Sequence, residues 1–303
     1  MGPSLGSSAG PTIQSGAVKV TEHEIDITVV VPTLGRVKDS IELHRTLHEL
    51  DPGPSEIFFV FQDSLELAEF KSSTKCKRDC SIEITTQSAA LARNAGLTYT
   101  RTTYIAFLDD DCVPLSVDWL ANLVSPLASP EVGLVTGPVL GWTNASGRLP
   151  FLRRAFLLLP PFLEPIGKPD SELSGKVHTV AGGNFAARTS QLKEINGFSA
   201  AFGSPSLYEE TELALRMKRF YRTSIWFCSQ AKVVHNQRGH GGMRTNAQVP
   251  NEAFVLDQRK ILLEEVYGKS SATDLRLMIY RSARSLKKGA IALLNVMGRR
   301  NQE

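Results

Sequence analysis

Long apolar runs are missing from this chain of 303 residues. A bilayer-spanning helix needs ~20 apolar residues, whereas the longest candidate, Ala155 to Leu163, is short and carries Pro160-Pro161, so no membrane span is expected. Cysteine is scarce: the four residues, at 76, 80, 112 and 228, are too few for a disulfide scaffold and lack the paired spacing of a zinc site. Reduced thiols in a cytoplasmic setting are expected, with Cys76 and Cys80 structural. Excess charge is also lacking, and a net charge of +3 gives no general affinity for nucleic acid. No internal repeat is present, which excludes a solenoid. Met1 to Gly16 has neither a basic n-region nor an apolar h-region, and its Gly, Ser and Pro read as a disordered leader extending to residue 22, not as a secretion signal.

What is present is an alternation of strand and helix patterns. Ile27 to Val31 is a β-branched run ended by Pro32, with a helical pattern over Ser40 to Leu50 after it. Further strands are expected at Glu56–Phe61, Ile82–Thr85, 103–108 and Val132–Val139, with helices at Ala89–Tyr99 and near Ser116–Leu127. Such alternation predicts an α/β fold: a Rossmann-like, mainly parallel sheet flanked by helices. From Gly141 to His178 the periodicity is lost. The apolar piece Phe151 to Leu159 reads either as a core-packing helix or as a contact for an acceptor or membrane on the rim of a site. Regular structure returns at Thr179–Ala187, followed by a helix over Thr189–Asn196 that Gly197 would cap. A helix from Tyr208 to Tyr221 and strands at Ser224–Phe227 and Ala231–Val234 follow. The pattern divides the chain into the leader (1–22), one sheet-centred domain (23–250) and a C-terminal helical extension (251–303).

The chemistry concentrates at Asp109-Asp110-Asp111, directly after the apolar run Tyr104 to Leu108. Carboxylates crowded at the carboxyl end of a buried strand repel one another, and a divalent cation relieves that repulsion. Strand side chains alternate in direction, so Asp109 and Asp111 are expected to share a face while Asp110 points away.

Six segments taken in order resemble glycosyltransferase family 2 and its GT-A fold: Val29-Val30-Val31-Pro32-Thr33, Ala92 to Leu97, Phe107 to Asp111, Gly182 to Ala186, Gly197-Phe198, and Glu209 to Arg216. The resemblance spans Ile27 to His235. It implies an inverting enzyme moving a sugar from a nucleotide diphosphate, a UDP-sugar by preference, to a hydroxyl acceptor that is a glycan or lipid-linked. It also implies Mn²⁺ or Mg²⁺, with Asp111 the main ligand, Asp109 on the ribose or reaching the metal through water, and His235 a third ligand. Asp110 would be structural or face the donor. Glu210 takes the position of the general base, with Glu209 the second choice. The family's Glu-Asp pair is Glu-Glu here. Pro32, Thr33, Arg36, Asp63, Arg93, Gly183 and Asn184 are implied in donor binding, with Asp63 on uracil and Arg93 on base or phosphates. Arg238 and His240 are candidate phosphate contacts in a mobile loop. The alternative is a nucleotide-sugar or carbohydrate-binding protein of the same fold without catalysis. A nucleotidyltransferase would want a glycine-rich, lysine-containing loop where this chain has Thr33-Leu34-Gly35-Arg36.

In the extension, Leu275, Ile279, Leu286, Ala290, Leu293 and Met297 trace an apolar stripe among Arg276, Arg281, Arg284, Lys287, Lys288, Arg299 and Arg300. The stripe would dock on the catalytic domain and leave a basic face in water, or lie on the cytoplasmic face of an anionic membrane.

Overall fold

The computed structural model describes residues 20–21, 24–74, 80–141, 155–160, 162–203, 206–236 and 251–284. Most of the expected leader, Cys76, Phe151 to Arg154, the loop with Arg238 and His240, and Leu286 to Arg300 lie outside the described residues. Strands are β1 Val20–Thr21, β2 Glu24–Thr33, β3 Gly53–Phe61, β4 Ser81–Glu83, β5 Tyr104–Leu108, β6 Cys112–Pro114, β7 Val132–Thr136, β8 Val139–Leu140, β9 Leu157–Leu159, β10 Glu164–Ile166, β11 Gly175–Val177, β12 Asn184–Arg188, β13 Ser224–Phe227 and β14 Val233–His235. Helices are α1 Val37–His48, α2 Ser64–Thr74, α3 Ala89–Tyr99, α4 Trp119–Val124, α5 Thr189–Glu194, α6 Glu209–Tyr221 and α7 Glu252–Tyr267, followed by α8 over 271–284.

The main sheet runs β11-β13-β7-β12-β5-β2-β3-β4, with β1 beside β2. β2 pairs parallel with β3 and with β5, and β3 with β4. This is the expected wound half, and its apolar strands are covered on both faces: Val29, Val30, Val31, Phe107 and Leu108 are all fully buried. Each such side chain contributes ~1.5–3 kcal/mol. The other half departs from a uniformly parallel sheet, because β12 is antiparallel to both β5 and β7. Its register puts Asn184 opposite Leu108, which sets Gly183 beside Asp109. A small second sheet, β6-β14-β8, pairs His235 with Cys112. These two pairings bring distant segments to the carboxyl end of β5.

Several expectations are corrected. Val20–Thr21, assigned to the leader, pairs with β2. The described part of the apolar rim piece, 155–159, is not helical: Leu157–Leu159 pairs antiparallel with Glu164–Ile166 in a two-stranded sheet, where Pro165 is tolerated because both strands are edges. Cys80 is disulfide-bonded while Cys112 and Cys228 are free; counting cysteines tests for a chain-wide scaffold and is blind to a single local bond. The extension does dock, with Leu262, Leu263 and Leu277 packing on Leu158, Leu163, Phe202 and Tyr208. However, the stripe through Leu275 and Ile279 is exposed, and α8 buries Thr273 and Tyr280 instead. A period of 3.6 finds apolar faces without saying which one the partner covers.

Candidate active site

The acidic run does not continue as a strand. β5 ends at Leu108, and the Cys112 N–H donates to the Asp109 carbonyl at 3.0 Å, closing a turn. Side-chain alternation therefore fails here. Asp110 and Asp111 are both buried, and one Arg36 nitrogen, Nη1, lies 2.8 Å from a carboxylate oxygen of each. Asp109 points elsewhere, to Arg93 Nη2 at 2.9 Å. Burial pushes the Asp110 carboxyl up to about 7, against the opposing pull of Arg36. Asp111 is likewise raised, by burial and by Asp109. Burial alone would lower Arg36, but Asp110 and Asp111 hold it protonated.

Arg93 is the centre of the site. It is buried on α3, and its Nη1 donates to Glu209 Oε1 at 2.9 Å while Nη2 donates to Asp109 and to the Gly182 carbonyl. Its guanidinium also lies over the Phe198 ring at 5.5 Å. α3 can seat it so deeply because Gly96 rests on β2: a Cβ there would fall 2.3 Å from a Val30 methyl. Arg93 was expected on the donor; with both terminal nitrogens bound to protein, it is an internal strut between the turn after β5 and the start of α6.

Glu209 and Glu210 open α6, where backbone N–H groups favour negative charge. The residue before them, Tyr208, holds a left-handed conformation at φ 78°, costly for a non-glycine residue. Its ring is covered by the Arg259 guanidinium at 4.1 Å. Arg259 is fully buried, donates to the Phe162 and Leu163 carbonyls, pairs with Glu164 and stacks on Tyr280. Sequence reasoning missed this residue, because an arginine inside a regular helix of the extension carries no local signal. Glu210 lies beside Gly182. Burial and then Glu209 push its carboxyl up to about 8, with Arg93 opposing.

His235 Nε2 lies 3.4 Å from Asp111 Oδ2. Ligand atoms of Asp111, Cys112 and His235 all fall within 4.8 Å of one another. Cys112 was not anticipated. Burial and the neighbouring aspartates push its thiol well above the ordinary value, so it stays protonated and offers a poor ligand. The carboxylate and imidazole, a hard and a borderline donor, fit a divalent ion. Asp109 is not one of these three; its Oδ1 is held by Arg93 Nη2 at 2.9 Å. Buried polar atoms without a partner include Asp110 Oδ2, Arg93 Nε, Glu209 Oε2 and His235 Nδ1. Such groups are costly unless a bound species satisfies them.

The remaining expected residues divide clearly. Pro32 and Thr33 end β2 next to Arg36, with the Thr33 hydroxyl on Ser40 at 2.9 Å. Asp63 is exposed and caps α2, accepting from the Leu65 and Glu66 N–H groups. Gly183 fits its place, since a Cβ would meet Asp109 Oδ2 at 2.7 Å. Asn184 does not reach a donor: it is fully buried, accepts from the Trp119 indole, and donates to the Pro138 and Ala231 carbonyls. As the first residue of β12 its side chain points into the core and ties the start of α4 to two loops, those before β8 and before β14. Arg216 pairs with Glu212 and donates to the Gly197 carbonyl, fixing the turn after α5.

The sequence pattern described as Glycosyl transferase family 2 matches residues 28–195. A comparison with curated proteins finds no match. Among solved structures, the chain is similar to the mannosyltransferase PcManGT from Pyrobaculum calidifontis in complex with GDP-Man and Mn²⁺, at TM-score 0.56 and 16% identity over 88% of this chain and 80% of that one. It is also similar to residues 1–349 of S. aureus TarS in complex with UDP-GlcNAc, at TM-score 0.53 and 16% identity over 83% and 70%. A third is GalNAc-T7 with UDP, GalNAc and Mn²⁺, at TM-score 0.58 and 14% identity over 78% of this chain and 47% of that protein. At these identities the likeness is one of fold: a mixed α/β unit with a large, mostly parallel central sheet.

Proposed function

Because the chain belongs to glycosyl transferase family 2, we propose that it moves a sugar from a nucleoside diphosphate donor, a UDP-sugar by preference, to a hydroxyl acceptor on a glycan or lipid-linked glycoconjugate, inverting the anomeric centre. The observation that carries this reading is Arg93, whose one buried guanidinium joins Asp109 to Glu209. It holds the acidic turn after β5 and the acidic start of α6 as one site.

Glu210 is the general base. It takes the proton of the acceptor hydroxyl as that oxygen bonds to the anomeric carbon, and the bond from that carbon to the diphosphate breaks, its electron pair leaving with the phosphate oxygen. A carboxyl pushed up to about 8 is better matched to an alcohol proton than an ordinary one. Glu209, bound to Arg93, positions it. Asp111 and His235 would hold Mn²⁺ or Mg²⁺, the imidazole favouring manganese. Bound there, the ion would supply Lewis-acid stabilisation of the departing diphosphate. Arg36, on the same side, meets the donor's phosphates, and Pro32, Thr33 and Asp63 border its base.

The structures of similar fold carry GDP-Man, UDP-GlcNAc or UDP, so uridine and guanosine donors both belong in the test. Hydrolysis and transfer are measured over a panel of nucleotide sugars, with Mn²⁺ and with chelator, for the wild type and Asp111→Ala. Loss on chelation and a fall of ~10²-fold or more in the variant are expected. Activity indifferent to both would overturn the mechanism, and donor binding without any turnover would favour the non-catalytic alternative.

A further inference from the structure

The α8 helix has two apolar faces, and the catalytic domain covers one. Thr273 and Tyr280 are buried, and Leu277 packs against the α7 core. At 3.6 residues per turn, Leu275, Met278 and Ile279 fall on the opposite side, exposed by 51%, 60% and 43%. Arg276 and Arg281 flank that outer stripe, one on each side, and Arg276 is steadied over the Tyr267 ring at 4.4 Å. Asp274 is the one acidic residue of the helix.

We propose that the outer face of α8 docks on an anionic lipid bilayer, the apolar stripe lying among acyl chains and the arginines among headgroups. The charge distribution selects this occupant. From Leu275 to Gln302 the sequence has seven Lys or Arg and no Asp or Glu. The whole chain carries only +3, so the rest is net negative and positive charge is segregated onto this end. A second copy of the helix would bring two basic rims together, and the chain's own last residues carry the same sign. Nucleic acid or an acidic peptide would answer the arginines but would gain nothing from three exposed apolar side chains between them. A bilayer with anionic lipid answers both, since apolar insertion and headgroup attraction add. No helix among the described residues is long and apolar enough to cross a membrane, so the contact is peripheral. The inner face of α8 reaches the site through Tyr280, Arg259 and Tyr208, so the docked surface lies behind the turn that carries Glu209 and Glu210.

The test is flotation of the full chain with vesicles of phosphatidylcholine alone, and of phosphatidylcholine and phosphatidylglycerol in equal parts. Binding to the mixed vesicles only, falling with added salt, is expected. The pair Met278→Glu and Ile279→Glu should lower it by ~10-fold or more, and Arg276→Gln with Arg281→Gln should weaken it and flatten its salt dependence. These side chains are exposed or half-exposed, so unchanged melting temperatures will show that the variants fold. No binding to the mixed vesicles, or binding untouched by either pair, overturns the proposal. So does self-association abolished by the glutamate pair without vesicle binding, which would make a second copy the occupant.

Discussion

The base assignment makes a quantitative claim about pH. With its carboxyl pushed up to about 8, Glu210 is ionised in only ~10% of molecules near pH 7 and in ~90% near pH 9. The raised value means that the base form appears as pH rises. Donor kcat/KM should therefore climb with unit log slope below about pH 8 and level off above it, a gain of ~10-fold from pH 7 to 9. Two neighbours act on that value in opposite directions: Glu209 raises it and Arg93 lowers it. Glu209→Gln should move the step to lower pH and Arg93→Gln to higher pH, while Glu210→Gln should remove both the step and ~10²-fold or more of turnover. Stability should run the other way. Between the ordinary carboxyl value and about 8 the folded chain keeps a proton that the unfolded chain has lost, so stability falls as pH rises through that window, and Glu210→Gln flattens the fall. The assay is initial-rate hydrolysis of the best donor from pH 6 to 9.5, with melting temperatures at each point. A flat profile, or displacement of the step in one direction by both neighbouring substitutions, would refute the reasoning.

Two further substitutions probe the frame. Gly96→Ala places a Cβ 2.3 Å from a Val30 methyl; a loss of ~1–3 kcal/mol in urea unfolding is expected from overpacking, and Val30→Ala in the same chain should restore much of it. Arg259→Lys keeps the charge but loses the planar stack on Tyr208 and Tyr280 and the arrangement in which Nη1 serves the Phe162 and Leu163 carbonyls while Nη2 pairs with Glu164. It should lower the melting temperature by several degrees and cut kcat several-fold with donor KM unchanged, because the left-handed Tyr208 turn loses its cover; a fall in KM affinity with unaltered kcat would place Arg259 elsewhere in the mechanism.

Much of this was legible before any coordinates. The helix expected at Ala89–Tyr99 is α3 to the residue, the strand run into the aspartates is β5, and the helix expected from Tyr208 to Tyr221 is α6, Glu209–Tyr221. These features are local: apolar period, caps and breakers fix them. What escaped depends on contacts between distant segments. Strand alternation misplaced Asp110 because the chain turns after Leu108. The resemblance placed Asn184 and Arg93 at the donor; burial and partner distances show their side chains bound to protein. The antiparallel setting of β12 has no signature in its five residues, and the covered face of α8 depends on what lies beside it.

The Ala92-Arg93-Asn94-Ala95-Gly96 segment acquires a single explanation from those contacts. Gly96 sets the depth of α3 against Val30, and that depth decides whether the Arg93 guanidinium reaches Asp109 and Glu209 together. Asn94, on the same helix, accepts from the Phe198 N–H at 2.8 Å and donates to its carbonyl at 2.9 Å, while Arg216 of α6 holds the neighbouring Gly197 carbonyl. The turn after α5 is thus clamped from both helices, and Phe198 is kept under Arg93. Each residue fixes a different piece of backbone, and all of these pieces meet where the carboxylates converge. The positional precision that acid–base chemistry requires therefore comes from α3, which contributes no base or metal ligand of its own.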